Sequence, residues 1–146
     1  MSAINMINEV SQESVDNALA LVSSIDLSKI SAKLQSHYGV SGDDVEVMSD
    51  LYRKWLALHM CYPNAELTPN ELLDEYWHAH ILDTRAYSRD CEKLFGFYLH
   101  HYPYFGLEGD EQARDAGFDL TNALFKKHFG AELVGVANPC KSTDCR

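Results

Sequence analysis

Positive charge is scarce in this chain of 146 residues: twelve Lys and Arg stand against twenty-two Asp and Glu, a formal net charge of −10 with the seven His neutral. Nucleic acids and anionic membrane surfaces are held by clustered positive charge, so neither is expected as a principal partner. The adjacent basic pairs, Arg53-Lys54 and Lys126-Lys127, each fit the wet face of a helix. Long apolar runs are also lacking. The longest stretches are a few residues, against the about 20 that a bilayer requires, so no membrane span is expected. Residues 1–14 show neither a basic start nor an apolar run, so no secretory signal is expected. A reducing cytoplasm follows as the expected location, where the four cysteines are thiols first and disulfides second.

Several motifs are missing as well. The chain has no Cys-x-x-Cys, Gly-x-Gly-x-x-Gly, Walker A or Gly-x-Ser-x-Gly sequence, and no His-Glu-x-x-His. Redox-dithiol, dinucleotide, P-loop, α/β-hydrolase and zincin chemistry therefore lose their usual support. A ferritin-like di-iron bundle needs two Glu-x-x-His pairs, and only Glu75-x-x-His78 occurs.

What is present is helical periodicity, with 46% apolar residues, and nothing alternates with period two over a useful length. Six helices are expected. The first spans residues 5–24. The second spans about Leu27 to His37 and stops at Gly39, which accepts a left-handed conformation. Ser41 is a suitable N-cap for the third, which carries Met48, Leu51, Tyr52, Trp55, Leu56 and His59 on one face and ends at Pro63. Thr68-Pro69-Asn70-Glu71 reads as a capping box that starts the fourth at Thr68. A fifth runs from about Thr84 to His101 and a sixth from about Asp110 to Phe129. The expected fold is all-α: one irregular bundle over residues 1–130, followed by a flexible tail over 131–146 that contains Cys140 and Cys145.

The histidines sort by helical face. At about 100° per residue, His78 and His80 point to nearly opposite sides of a regular helix, so they converge only if the helix is distorted. Asp74 lies one turn before His78, a spacing that suits a carboxylate holding an imidazole or sharing a metal with it. His59, His80, Asp83, Asp90, Cys91 and His101 fall on or beside inward faces, whereas His37, His100 and His128 read as surface residues. Burying so many polar groups costs free energy unless they satisfy one another, bind water or bind metal. A transition metal, Zn, Fe or Cu, would accept imidazole and carboxylate ligands, with thiolate possible at Cys91. The candidate ligands are His78, His80, Asp74, Asp83, Asp90, Cys91 and His101. Haem is a weaker expectation, since no Cys-x-x-Cys-His attachment sequence occurs. The alternative is a purely structural His-Asp-Tyr network that locks helices together.

The run Asp74-x-x-Trp77-His78-x-His80-Ile81-Leu82-Asp83-Thr84-x-x-Tyr87-x-x-Asp90-Cys91-x-x-Leu94-Phe95-Gly96, followed by His101 and Pro103, resembles the shared segment of glycine-rich domain-containing-protein-like sequences. These occur in bacteria and as longer plant and fungal proteins. The resemblance marks Trp77, His78, His80, Tyr87, Asp90 and Cys91 as signature positions and links plant members to stress and developmental responses. It brings no established cofactor or reaction. The chain departs from the longer members in lacking a glycine-rich region, with eight Gly in all.

Two functions follow as expectations. One is a metal-binding helical protein, extending to a metal-dependent enzyme of unidentified substrate, with a small molecule or protein as its partner. The other is a non-catalytic interaction module in which the Trp-His-x-His segment is structural.

Overall fold

The computed structural model describes residues 9–133, and the tail cysteines Cys140 and Cys145 lie outside them. Within that range the chain forms six helices and no strand: α1 (Gln12–Val22), α2 (Ser28–Tyr38), α3 (Gly42–Cys61), α4 (Glu71–Leu82), α5 (Thr84–Phe95) and α6 (Glu111–Phe129). The all-α expectation holds.

Helix α3 is the central element and packs against α1, α2 and α4. Of the stripe its spacing predicts, Met48, Tyr52, Trp55 and Leu56 are buried and Leu51 and His59 half-buried, and Val45 joins them in the core. Trp55 also fixes the loop that follows: its indole N–H donates to the Leu67 carbonyl at 2.9 Å. On the opposite side, the Arg53 guanidinium donates to the carbonyls of Val22 and Ile25 at 2.7 and 3.2 Å. Those carbonyls lie at and just past the end of α1, where the helix itself supplies no donors and cationic side chains are favoured.

Four boundaries differ from the sequence expectations, each for a local reason. The first helix begins at Gln12 because Ser11 is extended and its side chain accepts from the Ser14 amide, while residues 5–8 of the expected helix lie outside the described residues. Helix α4 begins at Glu71: Asn70, not Thr68, is the N-cap, and its side chain accepts from the Leu73 amide at 2.9 Å. Thr68 is instead buried, with its hydroxyl unpartnered among the described residues. Helix α5 ends at Phe95 because Gly96 adopts a left-handed conformation, φ 75°, so residues 97–101 form a loop. Past α6, Leu133 is buried and its amide donates to Asn122 Oδ1 at 2.8 Å, so the core extends beyond the expected boundary at residue 130.

His128, expected at the surface, is also buried. Its Nδ1 lies 2.9 Å from Gln12 Oε1 and its Nε2 2.8 Å from the Tyr62 hydroxyl. This ties the end of α6 to α1 and to the end of α3. Desolvation lowers the pKa of this imidazole, so Nδ1–H donates to Gln12 and Nε2 accepts from Tyr62.

Helix α6 crosses the 66–68 segment at Gly117. A Cβ there would stand 2.4 Å from Thr68 Oγ1 and 2.9 Å from the Glu66 carbonyl oxygen. Gly117→Ala should therefore push the helix off this segment and cost about 1–3 kcal/mol. Denaturant melts that leave the stability of this variant unchanged would contradict the packing described.

Candidate functional site

Helix α4 carries polar groups on two faces, and the structure makes two separate clusters of them. The first is a sealed chain through the core. His80 Nδ1 lies 2.7 Å from the Tyr52 hydroxyl and its Nε2 lies 2.9 Å from Asp90 Oδ2. Burial lowers the His80 pKa against the opposing pull of Asp90. Burial likewise raises Tyr52 well above its ordinary value. Tyr52 O–H therefore donates to Nδ1, and Nε2–H donates to the Asp90 carboxylate. Both imidazole nitrogens are satisfied, and neither has a lone pair left for an ion.

The second cluster lies on the opposite face. Asp74 and His78 are one helical turn apart, with Asp74 Oδ2 3.0 Å from His78 Nε2. His101 reaches the same carboxylate from the loop after α5: its Nε2 lies 2.8 Å from Asp74 Oδ1 and 3.1 Å from His78 Nε2. Ligand-type atoms of all three residues lie within 4.8 Å of one another. The site is nearly closed, since the side chains of His78 and His101 are each 10% exposed and that of Asp74 is 2% exposed. Burial pushes the Asp74 carboxyl upward, but hydrogen bonds from His101 and His78 outweigh it and leave the group below its ordinary pKa.

The loop that delivers His101 is held by a relay of hydrogen bonds. Trp77 Nε1–H donates to the Tyr87 hydroxyl at 2.9 Å, and the Tyr87 hydroxyl donates to the Leu99 carbonyl, two residues before His101. The Trp77 ring then lies against the His101 ring, centroids 4.2 Å apart. Cys91 is buried beside Tyr87 and the Leu99 backbone, and desolvation raises its thiol. It therefore packs as a protonated small residue.

Of the seven expected ligands, three converge: Asp74, His78 and His101. The break at Asp83 between α4 and α5 does not bring His78 and His80 together. Asp83 is an exposed N-cap that accepts from the Ala86 amide at 3.3 Å. Asp90 belongs to the His80 chain, and Cys91 to the brace behind the loop. Sequence reasoning left Tyr52 without its role as the partner of His80 and gave no role to Arg114. The Tyr52 hydroxyl on an inward face was the available signal for the first. Nothing in the periodicity marks the second.

Two cavities flank the trio. One, of about 410 Å³, is bounded by Leu34, Tyr38, Leu82, His78 and His101. The other, of about 370 Å³, runs from Asp74 and His101 past Trp77, Trp55 and His59 to Arg114.

Comparison with known proteins adds a lineage. A family model described as UCP032817-like matches residues 19–128. The chain belongs to the UCP032817-like family. The matched span covers every residue of both polar clusters, from Tyr52 to His101. This is an uncharacterised family, so membership supplies no chemistry. No curated protein and no solved structure matches the chain.

The buried histidines set the acid response. Desolvation lowers His59 to about 3 and also lowers His80 and His128. Below the ordinary value of about 6.5, the unfolded chain binds protons that the folded chain excludes, so stability is full above that pH and falls as pH drops. Each such histidine contributes a slope of about 1 kcal/mol per pH unit until its folded pKa is reached. The melting temperature of metal-free protein should fall steadily from pH 7 to pH 5, and less steeply in His59→Phe. A midpoint constant over that range would contradict the burial of neutral imidazoles.

Proposed function

We propose that this member of the UCP032817-like family is a metal-binding protein whose ion is held by Asp74, His78 and His101. The observation that carries this reading is the triangle of Asp74 carboxylate and two imidazole Nε2 atoms, with separations of 2.8, 3.0 and 3.1 Å. A tetrahedral ion with bonds of about 2.0–2.1 Å sets its ligand atoms roughly 3.3 Å apart, so small adjustments admit one. Two imidazoles and one carboxylate, with no thiolate, suit Zn(II) or Fe(II) rather than Cu(I). Three protein ligands leave a coordination position open, and a metal bound in this way supplies Lewis acidity to whatever occupies that position.

The rest of the site is the work of the protein. Asp74 lies below its ordinary pKa and is therefore ionised at neutral pH. The Trp77-Tyr87-Leu99 relay holds His101 in place, and the trio's side chains are largely shielded, at most 10% exposed. The Nδ1 atoms of His78 and His101 are buried without a hydrogen-bond partner among the described residues. Metal-ligating histidines usually anchor that nitrogen, and loss of such an anchor typically costs 10–100-fold in affinity. Packing alone orients these rings, so binding should be micromolar rather than nanomolar.

The resemblance of the Trp77 to Cys91 run to glycine-rich domain-containing-protein-like sequences is proposed as a relationship on the same footing. Its signature positions would then divide into ligand (His78), brace (Trp77, Tyr87, Cys91) and core lock (His80, Asp90). The interaction-module reading is favoured by one specific observation, the fully satisfied Tyr52-His80-Asp90 chain, which is structural. It does not account for the second cluster.

Calorimetric titration of tag-free protein with Zn(II) should give one equivalent bound. His78→Ala and His101→Ala should each weaken binding by at least about tenfold. Tyr87→Phe should weaken it by a smaller factor through release of the loop. His80→Gln should lower the melting temperature yet keep the stoichiometry. Less than about a tenth of an equivalent bound, with melting unaffected by Zn(II) or chelator, would contradict the proposal.

A further inference from the structure

The cavity of about 370 Å³ beside the trio has a composition that the metal reading does not explain. That volume is within the range of small-molecule sites. Its walls include the indoles of Trp55 and Trp77, whose centroids lie 4.6 Å apart, together with Phe105. Arg114 on α6 lines it, and this residue is 8% exposed. A guanidinium removed from water needs an anion. Its anionic contact among the described residues is the neighbouring Asp115, one oxygen of which accepts from Nη2 and Nε at a long 3.3 and 3.4 Å, and that side chain is itself 56% exposed. Such a pair is a weak neutraliser.

The loop opposite is shaped around this side chain. Gly106 has φ +90°, and a Cβ there would stand 2.6 Å from Arg114 Nη1 and 2.8 Å from its Cδ. On another wall, His59 Nε2 is buried with no hydrogen-bond partner among the described residues. Desolvation holds this imidazole at about 3, so it adds a polar nitrogen and no charge. The cavity thus offers the Arg114 guanidinium, two neutral hydrogen-bonding atoms, His59 Nε2 and Thr68 Oγ1, and stacking surfaces. Asp74 and Glu66 also border it, which disfavours a multiply charged ligand.

We propose that this cavity binds a small aromatic carboxylate, with the carboxylate on the Arg114 guanidinium and the ring against Trp55, Trp77 and Phe105. Arginine matches a carboxylate through two parallel hydrogen bonds, and the aromatic walls favour a planar apolar body. The inference goes beyond the metal reading and does not require it, since its anchors lie outside the trio.

The chain has two tryptophans and both line the cavity, so intrinsic fluorescence reports on it directly. Full-length protein kept in EDTA should be titrated with benzoate, phenylacetate and 4-hydroxybenzoate, and in parallel with benzamide and inorganic phosphate. At least one acid should give a saturable change with half-saturation below about 1 mM, confirmed by calorimetry, and benzamide should bind at least about tenfold more weakly than benzoate. Arg114→Gln should weaken the acid by a similar factor, and Arg114→Lys by less. If Arg114→Gln does not fold, the acid-against-amide comparison on the wild-type protein decides.

The inference is overturned if none of the acids saturates, if benzamide matches benzoate, if phosphate binds in their place, or if folded Arg114→Gln keeps full affinity. Binding that appears only after Zn(II) loading and is indifferent to Arg114 would place the carboxylate on the metal; it would overturn this inference while leaving the metal reading intact. Acid binding in EDTA by protein that takes up no Zn(II) would support this inference and count against the metal alone.

Discussion

The hydrogen-bond relay from the Trp77 indole through the Tyr87 hydroxyl to the Leu99 carbonyl is the constraint on which the arrangement of this protein depends. It joins three pieces of chain, the middle of α4, the first turns of α5 and the loop released by Gly96, alongside the His80–Asp90 and His101–Asp74 bonds that link the same pieces. Burial keeps the Tyr87 hydroxyl protonated, so it can accept from Trp77 and still donate to Leu99. Two residues farther along, His101 meets Asp74 and His78. Without the relay, that loop would be anchored by the His101 bonds to Asp74 and His78 and by contacts to aromatic rings.

Helix α4 separates structure from chemistry by helical geometry. Residues two apart on a helix face nearly opposite ways. His80 accordingly enters the core and is consumed by Tyr52 and Asp90, whereas His78 faces Asp74 and the loop. The two histidines look like one motif in the sequence and serve two purposes in the fold. The first cluster satisfies every polar atom of its imidazole. The second leaves the Nδ1 atoms of His78 and His101 without a partner among the described residues and gathers two Nε2 atoms around one carboxylate. Such a concentration of donors is costly as pure core packing and becomes reasonable as a ligand set.

Much of this was legible beforehand. The stripe on α3, the stop at Gly39 and the Asp74-His78 pairing all follow from periodicity and capping, which are local rules. What periodicity could not show was the tertiary part. Gly96 can be read as a helix stop, yet the apolar pattern through Tyr98 and His101 hid it, so a loop ligand was expected on a helix. Asn70 outcompeted Thr68 as a cap because the latter is drawn under Gly117 of α6, a contact about 50 residues away in sequence. The partners of His80 and the burial of His128 and Arg114 depend on which helices meet, and a single sequence does not encode that in any local pattern.

Zinc-edge anomalous diffraction from crystals of the full chain soaked with Zn(II) tests the central claim most directly. The account predicts one dominant peak about 2.0–2.2 Å from His78 Nε2, His101 Nε2 and an Asp74 carboxylate oxygen. An empty trio, with zinc found only on exposed histidines such as His37 or His100, would contradict it.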